Sequence, residues 1–192
     1  ILVHHGYFWK GDPLQITGCR YRRLKTILSH DINLFAYHLP LDIHADFGNN
    51  LLLAQKLQIE IDGSFPYASI VGLGSHGHFS TALPPQKLAD RIEQCLSRKP
   101  LYVAGQSDVI KTVAWCTGAA QDMLERASEY DVDAFITGEV SERSVHLARE
   151  LGIHFYAAGH HATERYGIQA LGDHVAQQFS IKNEFVDIDN PV

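Results

Sequence analysis

The sequence contains little cysteine and no long apolar run. Only three cysteines occur among 192 residues, an odd number without Cys-x-x-Cys spacing. This pattern argues against a disulfide framework and favours a reducing compartment, so we expect a cytoplasmic protein. No apolar stretch approaches the roughly 20 residues that a membrane helix needs, so no membrane partner is expected. The cysteines are Cys19, Cys95 and Cys116.

Positive charge is also scarce. The 22 acidic residues outnumber the 16 basic ones, which gives a formal net charge of −6. Nucleic-acid binding normally needs clustered Lys and Arg, so nucleic acid is not the expected partner. One local basic cluster exists, and we interpret it as the solvated face of a helix rather than a phosphate site. It consists of Arg20, Arg22, Arg23 and Lys25.

Three common motifs are absent. The sequence has no Walker loop, no GxGxxG and no GxSxG. Their absence disfavours nucleotide kinases, dinucleotide-binding enzymes and serine hydrolases. The one unusual abundance is histidine, with twelve residues of which several are clustered. These histidines are therefore the first candidates for a functional site.

Short apolar runs alternate with amphipathic stretches, which predicts an α/β fold with substantial parallel sheet. We expect a single unit over residues 1–192, because no linker marks an internal domain boundary. The predicted strands are Ile1–His5, Ile32–Leu39, Leu101–Ala104, Val113–Thr117, Ala134–Thr137, His154–Ala158 and Glu184–Ile188. The predicted helices are Tyr21–His30, Asn49–Leu57, Pro85–Leu96, Ala119–Tyr130, Ser141–Leu151 and Ala162–Phe179.

The middle of the chain, Ile59–Ser80, is rich in Gly and Ser and predicts a strand pair or an ordered loop. Within it, His76 and His78 could serve an accessory metal or a lid. A mobile loop is the favoured alternative for these two histidines.

Two strands are predicted to end in the same dipeptide, at Thr117-Gly118 and at Thr137-Gly138, before a helix opens. A helix N-terminus presents free N–H groups and could hold an anion. An ordinary strand–turn–helix joint is the alternative. After the second joint, Glu139 and Ser141 could cap the helix or contact a substrate.

A histidine pair, His4-His5, ends the first predicted strand. Neighbouring side chains of a regular strand point to opposite faces, so one ion would not easily take both. At the strand end the pair could instead serve two ions, one each. A chance pair near the surface is the alternative.

Asp42 follows the second predicted strand, where Pro40 stiffens the exit. Ligand sites of open α/β sheets gather at the carboxyl ends of strands. Asp42 would therefore lie beside His4 and His5 if the two strands are parallel neighbours; a turn or cap is the alternative. His38 is the candidate for a supporting catalytic role, in which it would orient a ligand, or it is simply a packed, hydrogen-bonded histidine.

The stretch GHHATE supplies His160 and Glu164 where a predicted strand leads into a helix. These residues are i and i+4, so their side chains share one face of the first turn and could reach one metal centre. Glu164 has two oxygens and could bridge two ions. His161 points elsewhere on the helix and is not expected to be a ligand. A plain helix start with a favourable acidic residue is the alternative.

Together these residues provide three imidazoles and two carboxylates, all placed after strands. Mixed nitrogen and oxygen ligands suit Zn, Mn, Fe, Co or Ni better than Ca or Mg. Two carboxylates neutralise only half the charge of two divalent cations, and the surplus favours an anionic substrate. Two metals about 3.5–4 Å apart can generate a bridging hydroxide for hydrolysis. We therefore predict a two-metal, hydrolase-type site formed by His4, His5, Asp42, His160 and Glu164.

The sequence around these residues resembles the Nif-three-like dinuclear metal centre family, also known as GTP cyclohydrolase 1 type 2 homologues. The combination of VHHG with GHHATE is specific, and the resemblance runs from the first residue to near the last. Family members carry a further N-terminal segment, which agrees with a chain that opens inside a strand without Met. This chain resembles the compact form, since only Ile59–Pro85 stands where many relatives carry an inserted domain. The matching stretches are ILVHHGYFWKG, HLPLDIHADFGNN, DAFITGEVSE and FYAAGHHATE.

The resemblance implies two intertwined α/β repeats with the metals between them, assembled as toroidal homohexamers. It also implies a ligand assignment. His5 and Asp42 would hold one ion, His4 and His160 the other, and Glu164 would bridge both.

The activity implied by the resemblance is attack of water on C8 of a guanine ring, with release of formate. The residues themselves do not select a purine, so three functions stay open. They are a nucleotide-directed hydrolase, another metal hydrolase such as a phosphoesterase or peptidase, and a non-catalytic interaction or regulatory ring. An open coordination position would favour the enzymes. The aromatics Tyr7, Phe8 and Trp9 could form a contact of the ring or a local core beside the site.

Overall fold

The structure is a computed structural model that describes Ile1–Val192, and it has the mixed α/β class predicted from the sequence. None of its helices combines the length and the apolarity that a membrane span requires. The strands are β1 (Leu2–Val3), β2 (Phe35–Ala36), β3 (Glu60–Tyr67), β4 (Ile70–Leu83), β5 (Leu101–Val103), β6 (Ile110–Trp115), β7 (Ala134–Thr137) and β8 (His154–Ala157). The α-helices are α1 (Gly18–Ser29), α2 (Leu39–Asp42), α3 (Asn49–Leu57), α4 (Pro85–Leu96), α5 (Leu124–Ala127), α6 (Glu142–Leu151) and α7 (His160–Phe179).

The strands form two sheets. β1 and β2 make a short parallel pair, and the other six strands make one sheet in the order β3-β4-β6-β7-β8-β5. β6, β7 and β8 run parallel, whereas β3, β4 and β5 pair antiparallel with their neighbours. Because parallel strands end at the same edge, the residues that follow β6, β7 and β8 meet there.

Helices cover both faces of the six-stranded sheet. Alternate residues of β6 face the two sides. Val113 and Trp115 pack with residues of α3, α4 and α7, whereas Ala114 and Cys116 pack with residues of α5 and α6. The core therefore lies in two layers, and it fixes the sheet edge at which the strand-end residues meet.

Several predicted elements have the observed bounds, among them Asn49–Leu57, Pro85–Leu96 and Ala134–Thr137. The strand pair predicted for the Gly-rich middle is the β3–β4 hairpin. His76 and His78 lie inside β4, so the mobile loop favoured for them is wrong.

Two predicted elements differ from the structure in type or continuity, and the predicted strands Ile1–His5 and Ile32–Leu39 are shortened to β1 and β2. The helix predicted over Ala119–Tyr130 is broken into α5 and two flanking 3₁₀ turns, Gln121–Met123 and Ser128–Tyr130. The strand predicted at Glu184–Ile188 is wrong, because the segment after α7 has no regular structure. Asp187 in this segment contacts side chains of α7, so side-chain contacts hold it there in place of a sheet ladder.

Candidate metal centre

The β1–β2 pair positions three of the predicted ligands. His4 and His5 follow β1 directly, and Asp42 ends α2, which the chain enters soon after β2. The two strands pair in parallel, so both exits lie at the same end. Pro40 lies in the first turn of α2, where a missing N–H is tolerated. His4 Nε2 lies 3.4 Å from Asp42 Oδ1.

The start of α7 supplies the other two. His160 and Glu164 lie one turn apart, and His160 Nε2 is 3.0 Å from Glu164 Oε2. The same carboxylate oxygen lies 3.1 Å from His5 Nε2 and 3.5 Å from His4 Nε2. The structure therefore brings all five predicted ligand residues together, with three imidazole nitrogens around one oxygen.

Two of these converging atoms are left unsatisfied. His4 Nε2 and Glu164 Oε2 are buried and have no hydrogen-bond partner. A buried polar group left in this state costs about 1–3 kcal/mol, which a bound cation would offset. Imidazole and carboxylate are the donor types that divalent transition metals accept. The cluster therefore fits a metal ion.

The atoms of the five predicted ligands form two groups of three, each with its atoms within 4.8 Å of one another. One group is His4, Asp42 and Glu164, and the other is His5, His160 and Glu164. The resemblance had implied the opposite pairing, in which His5 joins Asp42 and His4 joins His160. The side-chain distances favour His4 beside Asp42, and the division of the ligands between two ions stays a prediction.

Hydrogen bonds on the far side of two imidazoles orient them. His4 Nδ1 lies 3.0 Å from the carbonyl oxygen of Tyr37, and His160 Nδ1 lies 2.7 Å from Glu139 Oε1. An Nδ1–H that donates to oxygen leaves the Nε2 lone pair facing the cluster. Glu139 thus positions His160, whereas the cap of α6 is Ser141.

Asp42 is held by a residue that the sequence did not mark. Asn49 Nδ2 donates to Asp42 Oδ1 at 2.8 Å, and Gly167 N–H of α7 donates to Asn49 Oδ1 at 2.8 Å. Thr117 Oγ1 lies 3.4 Å from the same Asp42 oxygen. Asn49 therefore links the β1–β2 side of the cluster to α7.

Glycines form the edge of the six-stranded sheet beside the cluster. Gly138 N–H donates to the Gly118 carbonyl, and Gly159 N–H donates to the Gly138 carbonyl, both at 2.9 Å. Gly118 has φ +71°, and a Cβ there would lie 1.9 Å from Glu164 Oε1. Its own N–H donates to Thr163 Oγ1. Neither Gly118 nor Gly138 therefore has a free N–H for the anion predicted at the Thr-Gly joints.

The remaining histidines differ in their relation to the cluster. The His38 ring lies 5.2 Å from His4 and 5.3 Å from His5 between centroids, and its side chain forms no hydrogen bond with either. Its ring nitrogen is close enough to join both around an ion, so its supporting role stays a prediction. His161 Nε2 instead contacts Asp187 Oδ1 at 2.7 Å, away from the cluster.

A cavity of about 1070 Å³ borders the cluster between β1, α7 and the segment that follows α7. His5, His160 and Glu164 form part of its wall, together with the cationic side chains of Arg165 and Lys182. The His5 side chain is 40% exposed. The cluster is therefore accessible to a ligand from one side.

Comparison with known proteins identifies the family. The model described as Duf34/NIF3 (NGG1p interacting factor 3) matches residues 1–191. This chain belongs to the DUF34/NIF3 family. The family predicted from the sequence is thus confirmed.

Individual DUF34/NIF3 relatives are similar over the whole chain. A "GTP cyclohydrolase 1 type 2 homolog" of Vibrio cholerae is 52% identical, covering 100% of this chain and 77% of its own length. A solved structure described as "protein ybgI, unknown function" has TM-score 0.94 and 48% identity, covering 100% of this chain and 76% of that one. The crystal structure of TTHA1606 from Thermus thermophilus has TM-score 0.87 and 35% identity, covering 100% and 75%. The mixed α/β fold is therefore shared with solved members of the family.

The ionisable groups of this DUF34/NIF3 cluster shift one another's pKa. Burial would raise the pKa of Glu164, but contact with the three histidines outweighs it and holds that pKa well below its ordinary value. Contact with Glu164 raises the pKa of His160 to about 9, against the opposing effect of burial. Burial raises the pKa of Asp42 to about 6, although the His4 charge acts in the other direction. Without a cation, protonated imidazole supplies the positive charge beside Glu164.

We expect the metal-free protein to lose stability as pH rises from 6.5 to about 9. The pKa of His160 is raised on folding, so its contribution is fully present below the unfolded value of about 6.5 and is lost through the folded value. The raised pKa of Asp42 affects stability only at lower pH, because burial favours the neutral form of this carboxyl group. Melting temperatures of chelated protein across this range would measure the loss. His160→Gln should flatten the profile and His161→Ala should preserve it; a flat wild-type profile would contradict the expectation.

Proposed function

We propose that this protein is a dinuclear metal-dependent hydrolase that acts on a nucleotide-like or phosphate-bearing substrate, as a GTP cyclohydrolase 1 type 2 homologue. The observation that carries the proposal is the convergence of five ligand side chains on buried atoms that lack hydrogen-bond partners. His4 and Asp42 would hold one ion, His5 and His160 would hold the other, and Glu164 would contact both.

The donor set supports Zn, Mn, Fe, Co or Ni, because it mixes imidazole with carboxylate. Two such cations would supply Lewis-acid activation of water and a positive field for an anionic substrate. The chain itself orients the ligands: Glu139 holds the Nδ1–H of His160, and Asn49 holds the Asp42 carboxylate. His5 is partly exposed in the wall of the cavity, so a ligand could approach it from there. This access favours an enzyme over a closed, non-catalytic site.

The test combines metal content with turnover. Reconstituted protein should contain close to two metal equivalents, and a reproducible value of one or none would contradict the dinuclear proposal. In a screen of nucleotides, phosphodiesters and peptides, the loaded protein should hydrolyse a nucleotide, with inorganic phosphate as a competitor. Activity should rise with pH, since bound cations lower the pKa of water to about 7. Asp42→Asn protein that remains folded should be inactive.

Other outcomes of the screen would point to the alternatives. Cleavage of an uncharged peptide or ester without any nucleotide turnover would favour another class of metal hydrolase. No turnover by fully loaded protein would favour a regulatory interaction ring.

We further propose a cytoplasmic homohexamer in the form of a toroid. Leu28 of helix α1 is 74% exposed, and Phe8 is 70% exposed in the loop before that helix. Exposed apolar surface of this kind is typical of a contact between subunits. Light scattering on full-length protein at micromolar concentration should give six times the mass of one subunit. A monomer under these conditions would contradict the ring.

A further inference from the structure

The two tryptophans of the chain have opposite environments. Trp115 is fully buried in the core, whereas Trp9 is 47% exposed. Trp9 lies in the loop after β1, and its ring centroid is 5.6 Å from that of His5 and 5.0 Å from that of His38. A large exposed aromatic side chain therefore borders the proposed metal ligands. This position has no role in the function proposed above.

The loop that carries Trp9 is held by a turn and by contacts with α1. Trp9 N–H donates to Asp12 Oδ2 at 3.0 Å, and Asp12 N–H donates to the Trp9 carbonyl at 3.1 Å, which closes a turn. Arg20 of α1 contacts the Asp12 carboxylate and the Pro13 carbonyl oxygen. The backbone beneath the indole is therefore tied to α1.

The neighbouring imidazoles do not stack on the indole. The His38 ring meets it at 80° and the His5 ring at 57°, so both contacts are inclined or edge-on. Such contacts hold the plane of the indole but leave it without a parallel partner. The indole centroid lies 5.6 Å from that of His5, a proposed ligand, so a ring stacked on the indole would be close to the cluster.

We propose that the Trp9 indole is the stacking platform for a nucleobase of the ligand. The proposal names the substrate class of the site and rests on the proposed function for the position of the reacting group. Every nucleobase has a π-face, so the platform selects a planar heteroaromatic ring without selecting guanine. Loss of one such stacking contact weakens binding by roughly 10- to 100-fold.

The test uses the fluorescence of the two tryptophans. Because Trp115 is buried, quenching by an added nucleotide reports on Trp9. Guanosine monophosphate should quench the emission saturably in metal-loaded protein, whereas ribose 5-phosphate, which carries the phosphate without the base, should not. Excitation at the red edge of tryptophan absorption avoids absorption by guanine.

Calorimetric titration then separates stacking from folding. Trp9→Ala should bind guanosine monophosphate roughly 10- to 100-fold more weakly than wild type, and Trp9→Phe, which keeps a ring, should remain within a few-fold. Both variants should retain the wild-type metal content. An unchanged affinity in Trp9→Ala would overturn the platform and leave the hydrolase proposal standing.

Two further results separate the proposals. Saturable quenching and a weakened Trp9→Ala, with no nucleotide turnover, would support the platform and count against the hydrolase. Trp9 emission could instead change with protein concentration and stay unchanged when guanosine monophosphate is added. That result would assign the indole to a subunit contact and overturn the stacking proposal.

Discussion

Glu164→Gln should abolish tight binding of both metal ions, whereas His161→Ala should leave metal content near the wild-type value. Glu164 Oε2 is the oxygen on which three imidazole nitrogens converge, at 3.0–3.5 Å. Glutamine keeps the size of the side chain but removes the negative charge, so two divalent cations would face a single carboxylate. Mutation of a residue that only orients a ligand lowers metal affinity by about 10- to 100-fold. Because Glu164 is itself a proposed ligand, we expect its replacement to lower metal affinity by about 100-fold or more.

Competition with a chelating dye would measure this loss in folded protein. His161 is a matched control because it lies on the same helical turn as His160, and its imidazole contacts Asp187 instead of the cluster. Melting curves of both metal-free variants would confirm that they fold. Equal metal affinity in the two variants would disprove the ligand assignment.

Gly118→Ala should impair metal binding without removing any ligand. The added Cβ would lie 1.9 Å from Glu164 Oε1, far closer than van der Waals contact allows. Its other near neighbour is His160 Nε2 at 3.3 Å, so the clash falls on the ligand group of α7. The Glu164 carboxylate must then move, and we expect a loss of affinity on the order of 100-fold, since ligand geometry controls binding.

Gly152→Ala provides the matched control for backbone strain. Both glycines have φ +71°, so either substitution places alanine in the left-handed region, at a cost of about 1–2 kcal/mol. The Cβ at Gly152 would meet only the flexible side chain of Gln106, remote from the cluster. We expect similar destabilisation from the two variants and a loss of metal affinity in Gly118→Ala alone. Equal retention of metal would mean that Gly118 does not constrain Glu164.

The candidate site was largely predictable because its ligands follow predicted strands. Chain order places His4, His5 and Asp42 after β1 and β2, and His160 after β8. Strand periodicity does not determine how side chains turn once a strand has ended, so the division of ligands between two ions was not predictable. The resemblance implies one division and the distances favour another, so the division stays a prediction.

Supporting residues were harder to predict because their contacts join distant parts of the chain. The hydrogen bond between Asn49 and Gly167 spans 118 positions, and Asn49 has no local feature that separates it from an ordinary helix start. Glu139 followed a predicted strand and was a candidate for two other roles. Its bond to His160 depends on the pairing of β7 with β8.

The fold was predictable where local and tertiary preferences agree. Helix Asn49–Leu57 begins after a glycine, and the next residue, Gln58, has the left-handed conformation that ends a helix. The predicted and observed bounds of this helix are therefore the same. Residues Glu184–Ile188 have the apolar composition of a strand. Composition alone does not show whether a neighbouring strand is available to pair with them. There the segment has no partner strand, and Asp187 contacts α7 instead.

The hydrogen bonds of Asn49 to Asp42 and to α7 have a consequence for how the protein takes up metal. Hydrogen bonds within the chain hold the Asp42 carboxylate and link it to α7, so we expect metal uptake to require no folding transition, unlike that of a zinc finger. Chelation should therefore leave an intact fold that reloads quickly. The occupant of such a preformed site is determined by the relative abundance of competing ions in the cell at each moment, together with their intrinsic affinities.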